Sequence, residues 1–355
     1  MSIDILPVQL IKNKYTAFFI LLFLSVVATA GHSLPDEINS GAQLVVDLVF
    51  KEEFKSAEEV AKKIIKKFPE NPAGYFFMAV AIDSWMCHYL DNSKEDEFYK
   101  YCDLAVEKSE VILTKDGGDE WAQFFMGGAE GYKGTYESRY ERWITAFRYG
   151  WKGVSILMKL SEKKSEICDI NFGIGSYEYW RSALTKTLWW MPGVKDRRQE
   201  GIKKLYLVSE NGAYTRLIAS AALIDVLVNE SRFEEVLPVA EKMLKTYPSS
   251  SRFLWGKGKS LFGVGKFDEA KHLFSAMLKK YESDEINNNY YPALCRYWLA
   301  RVYFAQQKYQ ESISEVNFME SYKIDEDLKK LLEKFFSESR SIKKRSIEEL
   351  NKNNN

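Results

Sequence analysis

Aromatic and basic side chains recur together at helical spacing in two stretches of the C-terminal half of the sequence. The residues are Arg252, Trp255, Lys259, Phe262, Tyr297, Arg301 and Phe304. Residues three or four positions apart share one face of a helix, so each stretch predicts a surface of mixed rings and cations. A guanidinium group binds a carboxylate through two parallel hydrogen bonds, and rings pack on the apolar groups beside it. This chemistry fits an acidic or carboxylate-ended peptide, while core rings beside solvated cations are the alternative interpretation.

Motifs for catalysis, cofactors or metal ions are missing from the sequence. There is no GxSxG, no HExxH and no GK[ST] phosphate loop, and the three histidines have no second histidine at ligand spacing. The four cysteines are Cys87, Cys102, Cys168 and Cys295, without any CxxC pair. We expect free thiols, with a Cys87–Cys102 disulfide as the alternative. The expectation is a non-catalytic protein with no cofactor, in which Glu52 and Glu53 are solvated charges of an exposed turn.

The overall charge limits the kinds of partner. The chain of 355 residues carries 50 Lys and Arg against 50 Asp and Glu, so its formal net charge is zero. A balanced chain has no long-range attraction to nucleic acid or to an anionic surface. We therefore expect a protein or peptide partner and no nucleic acid.

The elements that position these side chains follow from a repeat. Phe233 and Phe267 are 34 residues apart, and each heads a helix pattern centred on alanine. Phe54 heads the same pattern, and Tyr309 heads it again after an insertion. A fixed period of this size is typical of stacked helix pairs, and we expect six or seven pairs with no strand.

The repeat resembles the tetratricopeptide repeat family. The resemblance is carried by Leu254, Gly258, Leu261, Ala270, Phe274, Leu299, Ala300 and Tyr303, and by the closing prolines Pro69 and Pro248. It departs from the family pattern where Ile224 and Ser312 replace small residues. The resemblance implies an all-α fold, an α-α superhelix of the tetratricopeptide solenoid type, with a concave groove that the first helix of each pair lines.

The central segment, residues 127 to 212, has an unusual composition. Gly128, Gly131 and Gly134 lack the context of a phosphate-binding loop, so we expect them to permit close helix packing. The rings of Tyr132, Tyr136, Tyr140, Trp143 and Phe147 recur every three or four residues. This stripe is predicted to lie on one helix face in the core, with a ligand pocket as the alternative.

The second part of the central segment contains an apolar connection and a predicted helix start. Trp189, Trp190, Met191 and Pro192 interrupt the helical period. Asp196 and Gln199 match a capping box, whereas the role of Arg197 and Arg198 is open. The combination of Gly173–Ile174–Gly175 with Met191–Pro192–Gly193 is similar to segments of the eukaryotic inclusion-body-clearance family and, more closely, to exported bacterial repeat proteins of unknown role.

The amino terminus has the form of a secretory signal peptide. Lys12 and Lys14 precede an apolar run from Tyr15 to Val27, and small residues end at Ala30. The run is shorter than the roughly 20 residues of a spanning helix, so we expect cleavage near Ala30 and only a transient contact with the membrane, through the signal peptide. The predicted location is periplasmic or secreted. A retained N-terminal helix is the alternative.

These patterns divide the chain into four parts. Residues 1–30 are the signal peptide, 31–213 are degenerate helical repeats, 214–322 are three tetratricopeptide-like repeats, and 323–355 are a capping helix with an Asn-rich tail. Leu328, Leu331, Leu332, Phe335 and Phe336 form the apolar stripe of the capping helix. The functional expectation is an exported scaffold that binds a protein in its groove. The alternatives are a membrane-tethered envelope assembly factor and a small-molecule receptor or enzyme that uses the aromatic-rich centre.

Overall fold

The computed structural model describes residues 34–184 and 195–353, and these residues form helices, turns and loops without a strand. The predicted signal peptide and the Trp189–Pro192 connection lie outside the described residues. The 15 helices of the described residues are α1 Asp36–Phe50, α2 Phe54–Lys67, α3 Pro72–Tyr89, α4 Glu95–Lys115, α5 Glu120–Arg139, α6 Trp143–Glu162, α7 Ile170–Leu184, α8 Arg198–Asn211, α9 Arg216–Asn229, α10 Phe233–Leu244, α11 Ser251–Gly263, α12 Phe267–Glu282, α13 Tyr290–Ala305, α14 Tyr309–Ser321 and α15 Glu326–Asn353.

Consecutive helices pack on one another as pairs, consistent with a helical repeat. The described helices form seven pairs, α1–α2 through α13–α14, followed by the terminal helix α15. The all-α prediction and the predicted number of pairs are therefore confirmed. The odd-numbered helices α1 to α13 are the first helices of the pairs.

One turn recurs between the two helices of five pairs. A residue in the left-handed region stands two positions before the first residue of the second helix; these residues are Glu52, Glu141, Ser231, Gly265 and Gln307, with φ between 57° and 79°. The amide that follows each of them donates to the carbonyl five residues earlier at 2.9–3.1 Å. This hydrogen bond closes the C-terminus of the first helix in the manner of a Schellman motif. The second helices therefore begin at Phe54, Trp143, Phe233, Phe267 and Tyr309, which confirms four aromatic positions taken from the sequence and adds Trp143.

Glycines bring α5 and α6 together with almost no side chain between them. A Cβ atom added to Gly153 would stand 2.5 Å from the Gly127 carbonyl oxygen and 2.7 Å from the Gly131 nitrogen. One added to Gly134 would stand 2.7 Å from the Gly150 nitrogen. The prediction of close packing is confirmed at Gly134, where only glycine permits the backbones to approach this closely, and at Gly128, where a Cβ atom would stand 2.8 Å from the Phe76 ring. A Cβ atom at Gly131 would have open space around it.

The predicted aromatic stripe of the central segment is divided between two helices. Helix α5 ends at Arg139, and the left-handed Glu141 reverses the chain before α6 begins. Tyr136 is fully buried, but Trp143 is 50% exposed and Phe147 is 60% exposed. The prediction of one core-facing stripe was therefore wrong, because residues on opposite sides of a turn do not share a helix face.

Two further sequence predictions are corrected by local geometry. Helix α8 begins at Arg198 with Arg197 as its N-cap. Asp196 Oδ1 accepts from the Arg198 amide at 3.0 Å, as the predicted capping role of Asp196 requires. The Gln199 side-chain oxygen instead accepts from Arg232 at 3.3 Å, so the reciprocal half of the capping box was wrong. The two arginines form ion pairs at 2.9 Å, Arg197 with Glu178 and Arg198 with Glu230.

Glu52 is not the solvated surface charge that the sequence suggested. Its Oε1 accepts from the Ser251 amide at 2.6 Å, and its Oε2 pairs with Lys280 at 2.5 Å. Nearby, the Phe50 and Phe253 rings stack at 5.1 Å. The turn after α1 thus contacts the start of α11, about 200 positions later in the chain. In an open array each unit touches only its neighbours, so the repeat period contained no sign of this contact.

The C-terminal helix covers the last pair. Leu332 is fully buried and Phe336 is 9% exposed, whereas Leu331 is 52% exposed. Helix α15 extends as far as Asn353. All four cysteines are free thiols, as the sequence favoured. Within the described residues, none of the helices combines the length and the apolar composition needed to cross a bilayer.

Candidate functional site

A pocket of about 480 Å³ lies between the first helices of the last three pairs and the terminal helix. Its walls are Val228 and Asn229 of α9, Phe233 of α10, Lys259, Phe262 and Gly263 of α11, Leu294, Trp298 and Arg301 of α13, and Phe335 of α15. The pocket is predominantly apolar and has two cations on one side. Pockets of this size and composition are usual for ligand sites.

The recurring turn explains why the two cations line the same pocket. Lys259 stands eight positions before Phe267, and Arg301 stands eight positions before Tyr309. Asp225 holds the same place before Phe233. Since the same turn fixes the start of each second helix, equal spacing places these three residues at equivalent points of α9, α11 and α13. From α9 through α11 to α13, the charged group at this position is first a carboxylate, then an ammonium group and then a guanidinium group.

Aromatic rings hold the Arg301 side chain in place. Its guanidinium carbon lies 4.4 Å from the Trp298 ring centroid and 4.5 Å from that of Phe262. Nη1 donates to the Tyr297 hydroxyl at 3.3 Å, and that hydroxyl donates to the Glu338 carboxylate. Stacking between rings limits the rotamers of the arginine while its remaining N–H groups stay available to a ligand.

The cations of the pocket lack acidic partners. In the part of the chain that the structure describes, neither Lys259 nor Arg301 forms an ion pair with a carboxylate. Burial lowers the pKa of Lys259, and the Asp225 carboxylate opposes this shift. The indole Nε1 of Trp298 is also buried without a hydrogen-bond partner among the described residues. An anionic ligand would supply the acceptor that each of these donors lacks.

Three of the seven residues predicted from the sequence line the pocket together, namely Lys259, Phe262 and Arg301. Tyr297 is buried behind it, at 2% exposure. Trp255 packs in the core, where Nε1 donates to the Tyr281 hydroxyl at 2.9 Å.

The other two predicted residues lie away from the pocket. The guanidinium carbon of Arg345 lies 4.6 Å from the centroid of the Phe304 ring. Arg252 donates to the Cys87 Sγ of α3 at 3.5 Å. The seven side chains therefore do not form one continuous surface, and their part in binding stays a prediction.

Arg252 belongs to a second polar cluster between the N-terminal and C-terminal pairs. Asp83 of α3 is 5% exposed and pairs with Arg139 of α5. Asp225 of α9 is exposed. Loss of hydration raises the pKa of Asp225, and the charges of Arg252 and Lys259 oppose this rise. The cluster therefore carries charges of both signs, whereas the charged residues that line the pocket, Lys259 and Arg301, are both cations.

Several pocket residues were not identified from the sequence as site residues. Trp298 was missed because the equivalent position of α11 holds a small residue, Gly256. The repeat pattern therefore gave no sign of an aromatic side chain at this position. Phe335 was assigned to the capping stripe, but it also forms a wall of the pocket. The available signal was the adjacent pair Tyr297 and Trp298 within one helical turn of Arg301, because two neighbouring rings point to different sides of a helix and only one side faces its own pair.

No protein-family model matches the chain, and a search of curated proteins finds no matching relative. The fold and the site define the class: an all-helical protein whose described helices pack in sequential pairs and enclose a cationic, aromatic pocket near the C-terminal end. Within the described residues, no group of three or more His, Cys, Asp or Glu side chains could hold a metal ion.

Proposed function

We propose that the protein is an exported, non-catalytic scaffold of the tetratricopeptide type, which binds a protein or peptide partner in the pocket between α9, α11, α13 and α15. The observation that carries the proposal is the pair of cations, Lys259 and Arg301, on an aromatic wall without carboxylate partners in the described chain. Helix pairs in series commonly present such inner faces to extended peptides.

The chemistry of the pocket specifies the preferred peptide. A carboxylate placed between Lys259 and Arg301 would accept charge-assisted hydrogen bonds from both side chains. An apolar or aromatic group of the same residue would pack against Phe262, Trp298 and Phe335. The volume of about 480 Å³ accommodates one or two residues of a peptide, which favours an end of a chain or a protruding side chain over a whole helix.

A peptide array tests this proposal. Dodecapeptides that end in apolar residues are presented as free acids and as C-terminal amides, and the labelled protein is compared with the variant Lys259→Gln/Arg301→Gln. We expect the free acids to bind and each lost cation to weaken binding about tenfold, because hydrogen bonds to charged groups contribute roughly 1.5–3 kcal/mol. Arg345→Gln is the matched control, since Arg345 also lies on a ring, that of Phe304, outside the pocket. Equal binding of acids and amides, or equal loss in the control, contradicts the proposal.

Export is tested separately from binding. N-terminal sequencing of the protein from soluble and membrane fractions should find a terminus near residue 31 in the soluble fraction. A protein that retains residues 1–30 and occurs only in the membrane fraction would support the tethered assembly factor instead.

A small-molecule receptor is the second candidate, and the pocket volume favours it, because pockets of 300–1,000 Å³ commonly hold small ligands. Indole-3-propionate serves as a probe with one carboxylate and one aromatic ring. Calorimetric binding of this compound, lost in Lys259→Gln/Arg301→Gln, together with no binding of any peptide, would favour the receptor.

A further inference from the structure

Helix α6 exposes four large apolar residues in its first half. Gly153 faces the backbone of α5. On the opposite side, Ile144 is 89% exposed, Phe147 60%, Trp143 50% and Trp151 49%. Exposed large apolar groups that cluster on one face mark interaction surfaces, whereas single ones need no explanation. We call these four residues the α6 outer face.

The next helix continues this surface at one end. A Cβ atom on Gly173 would stand 2.5 Å from Leu157 Cδ1, and the rings of Trp151 and Tyr177 lie 6.0 Å apart. These contacts run in opposite directions along the two helices, so α6 and α7 are antiparallel. The C-terminal end of α7, where Trp180 is 42% exposed and Leu184 is 61% exposed, therefore lies level with the start of α6.

A row of cations runs along α6 beside its outer face. The helix contains Arg148, Lys152 and Lys159 but only one carboxylate, Glu162. Lys152 pairs with Glu130 at 2.8 Å. Arg148 and Lys159 have no carboxylate partner within the described residues, although the chain as a whole has no net charge. The positive charge is thus concentrated next to the exposed rings.

We propose that the α6 outer face docks on the surface of an anionic lipid bilayer, with the helix in the plane of the interface. Tryptophan, phenylalanine and isoleucine on one helix face with Lys and Arg beside them are the composition of interfacial helices. Tryptophan rings favour the headgroup region because they join an apolar body to a polar N–H group. The unpaired Arg148 and Lys159 match anionic headgroups in charge. This surface is separate from the pocket, so the inference does not depend on the proposed function.

Vesicle sedimentation with the full chain tests the inference. The variants Ile144→Ser/Phe147→Ser and Arg148→Gln/Lys159→Gln are compared with the wild type on phosphatidylcholine vesicles with and without phosphatidylglycerol. All proteins carry the same N-terminus, so differences report on α6. Phe318→Ser is the matched control, because Phe318 is 51% exposed on α14, far along the chain from α6.

We expect the serine variant to lower the partition coefficient about tenfold on both vesicle types, since binding scales with buried apolar area. The glutamine variant should lower it about fivefold per cation on the anionic vesicles only, and high salt should reproduce this loss. Unfolding curves that coincide with the wild type show that the variants are folded.

Three results would overturn the inference. The first is wild-type protein that does not sediment with anionic vesicles, and the second is an Ile144→Ser/Phe147→Ser variant that binds like the wild type. The third is a lipid-free oligomer that dissociates in this variant, which would assign the α6 outer face to contact between two copies of the chain.

Discussion

The pairs α5–α6 and α11–α12 use glycine in opposite ways. In α5–α6 the glycines face backbone, and Gly153 stands against Gly127 and Gly131. In α11–α12 the glycine faces a ring, because a Cβ atom on Gly258 would stand 2.7 Å from Phe274. Rings fill the space between helices in the C-terminal pairs, whereas the Trp143 and Phe147 rings of α6 lie on the outside. The same helix hairpin thus leaves exposed either a pocket of rings and cations or an apolar outer face.

The largest expected effect is that of Gly153→Ala. The added methyl group meets a carbonyl oxygen at 2.5 Å and a backbone nitrogen at 2.7 Å, and backbone cannot rotate away as a side chain can. We expect the free energy of unfolding to fall by about 3 kcal/mol, measured by urea denaturation.

Gly150→Ala is the matched control on the same helix. A Cβ atom at Gly150 has open space around it. Alanine is the better helix former by about 1 kcal/mol, so this variant should be neutral or more stable. If the two variants have equal stability, close packing through glycine is not what holds α5 and α6 together.

Gly258→Ala should cost less, about 1–2 kcal/mol, because the Phe274 ring can shift by a few tenths of an ångström. That ring stacks on Trp298 at 5.4 Å with an interplanar angle of 16°, and Trp298 forms a wall of the pocket. We therefore expect weaker peptide binding in this variant, measured by fluorescence anisotropy. If Gly258→Ala binds the peptide as tightly as the wild type at the same temperature, the packing of Phe274 does not affect the pocket.

The recurring turn provides a smaller and more general effect. Gly265 has a φ of 79° and nothing near its Cβ position, so Gly265→Ala should cost about 1 kcal/mol through backbone conformation alone. Ser231 has the same left-handed backbone, with a φ of 57°. Ser231→Gly should thus change the free energy of unfolding in the opposite direction, by up to about 1 kcal/mol. Changes of the same sign in both variants would contradict an equivalent turn.

The smallest effect is a pH dependence at the contact between α3 and the C-terminal pairs. Burial lowers the pKa of His88, and the positive charges of Lys280 and Arg252 lower it further. The Glu52 carboxylate acts in the opposite direction and raises this pKa. The unfolded chain therefore binds a proton more readily than the folded one. Stability should be complete above the ordinary pKa of 6.5 and decline as the pH falls below it. His88→Gln should flatten this decline; an identical pH profile in both proteins would rule out His88 as its source.

Much of the fold could be predicted because it depends on local signals. Phe233, Phe267 and Tyr309 mark the starts of second helices, and their spacing brought Lys259 and Arg301 to equivalent positions. The assignment of central glycines to helix packing was correct for Gly128 and Gly134, whereas Gly131 has open space at its Cβ position.

The remaining features depend on geometry that no local pattern encodes. Glu141 adopts a left-handed conformation although it is not a glycine, so the break that exposes Trp143 and Phe147 had no sequence signal. Likewise, Glu52 contacts Ser251, a residue from a different pair. A period of about 34 residues predicts contacts between neighbouring pairs only, so it does not encode pairing over such distances.

The most direct test of the proposed binding site is the affinity of the tightest peptide from the array, in free-acid form, for the wild type and for Lys259→Gln/Arg301→Gln. We expect the double variant, folded as judged by its unfolding curve, to bind at least about thirtyfold more weakly, and Arg345→Gln to bind as the wild type does. Equal affinity of the double variant and the wild type would contradict this expectation.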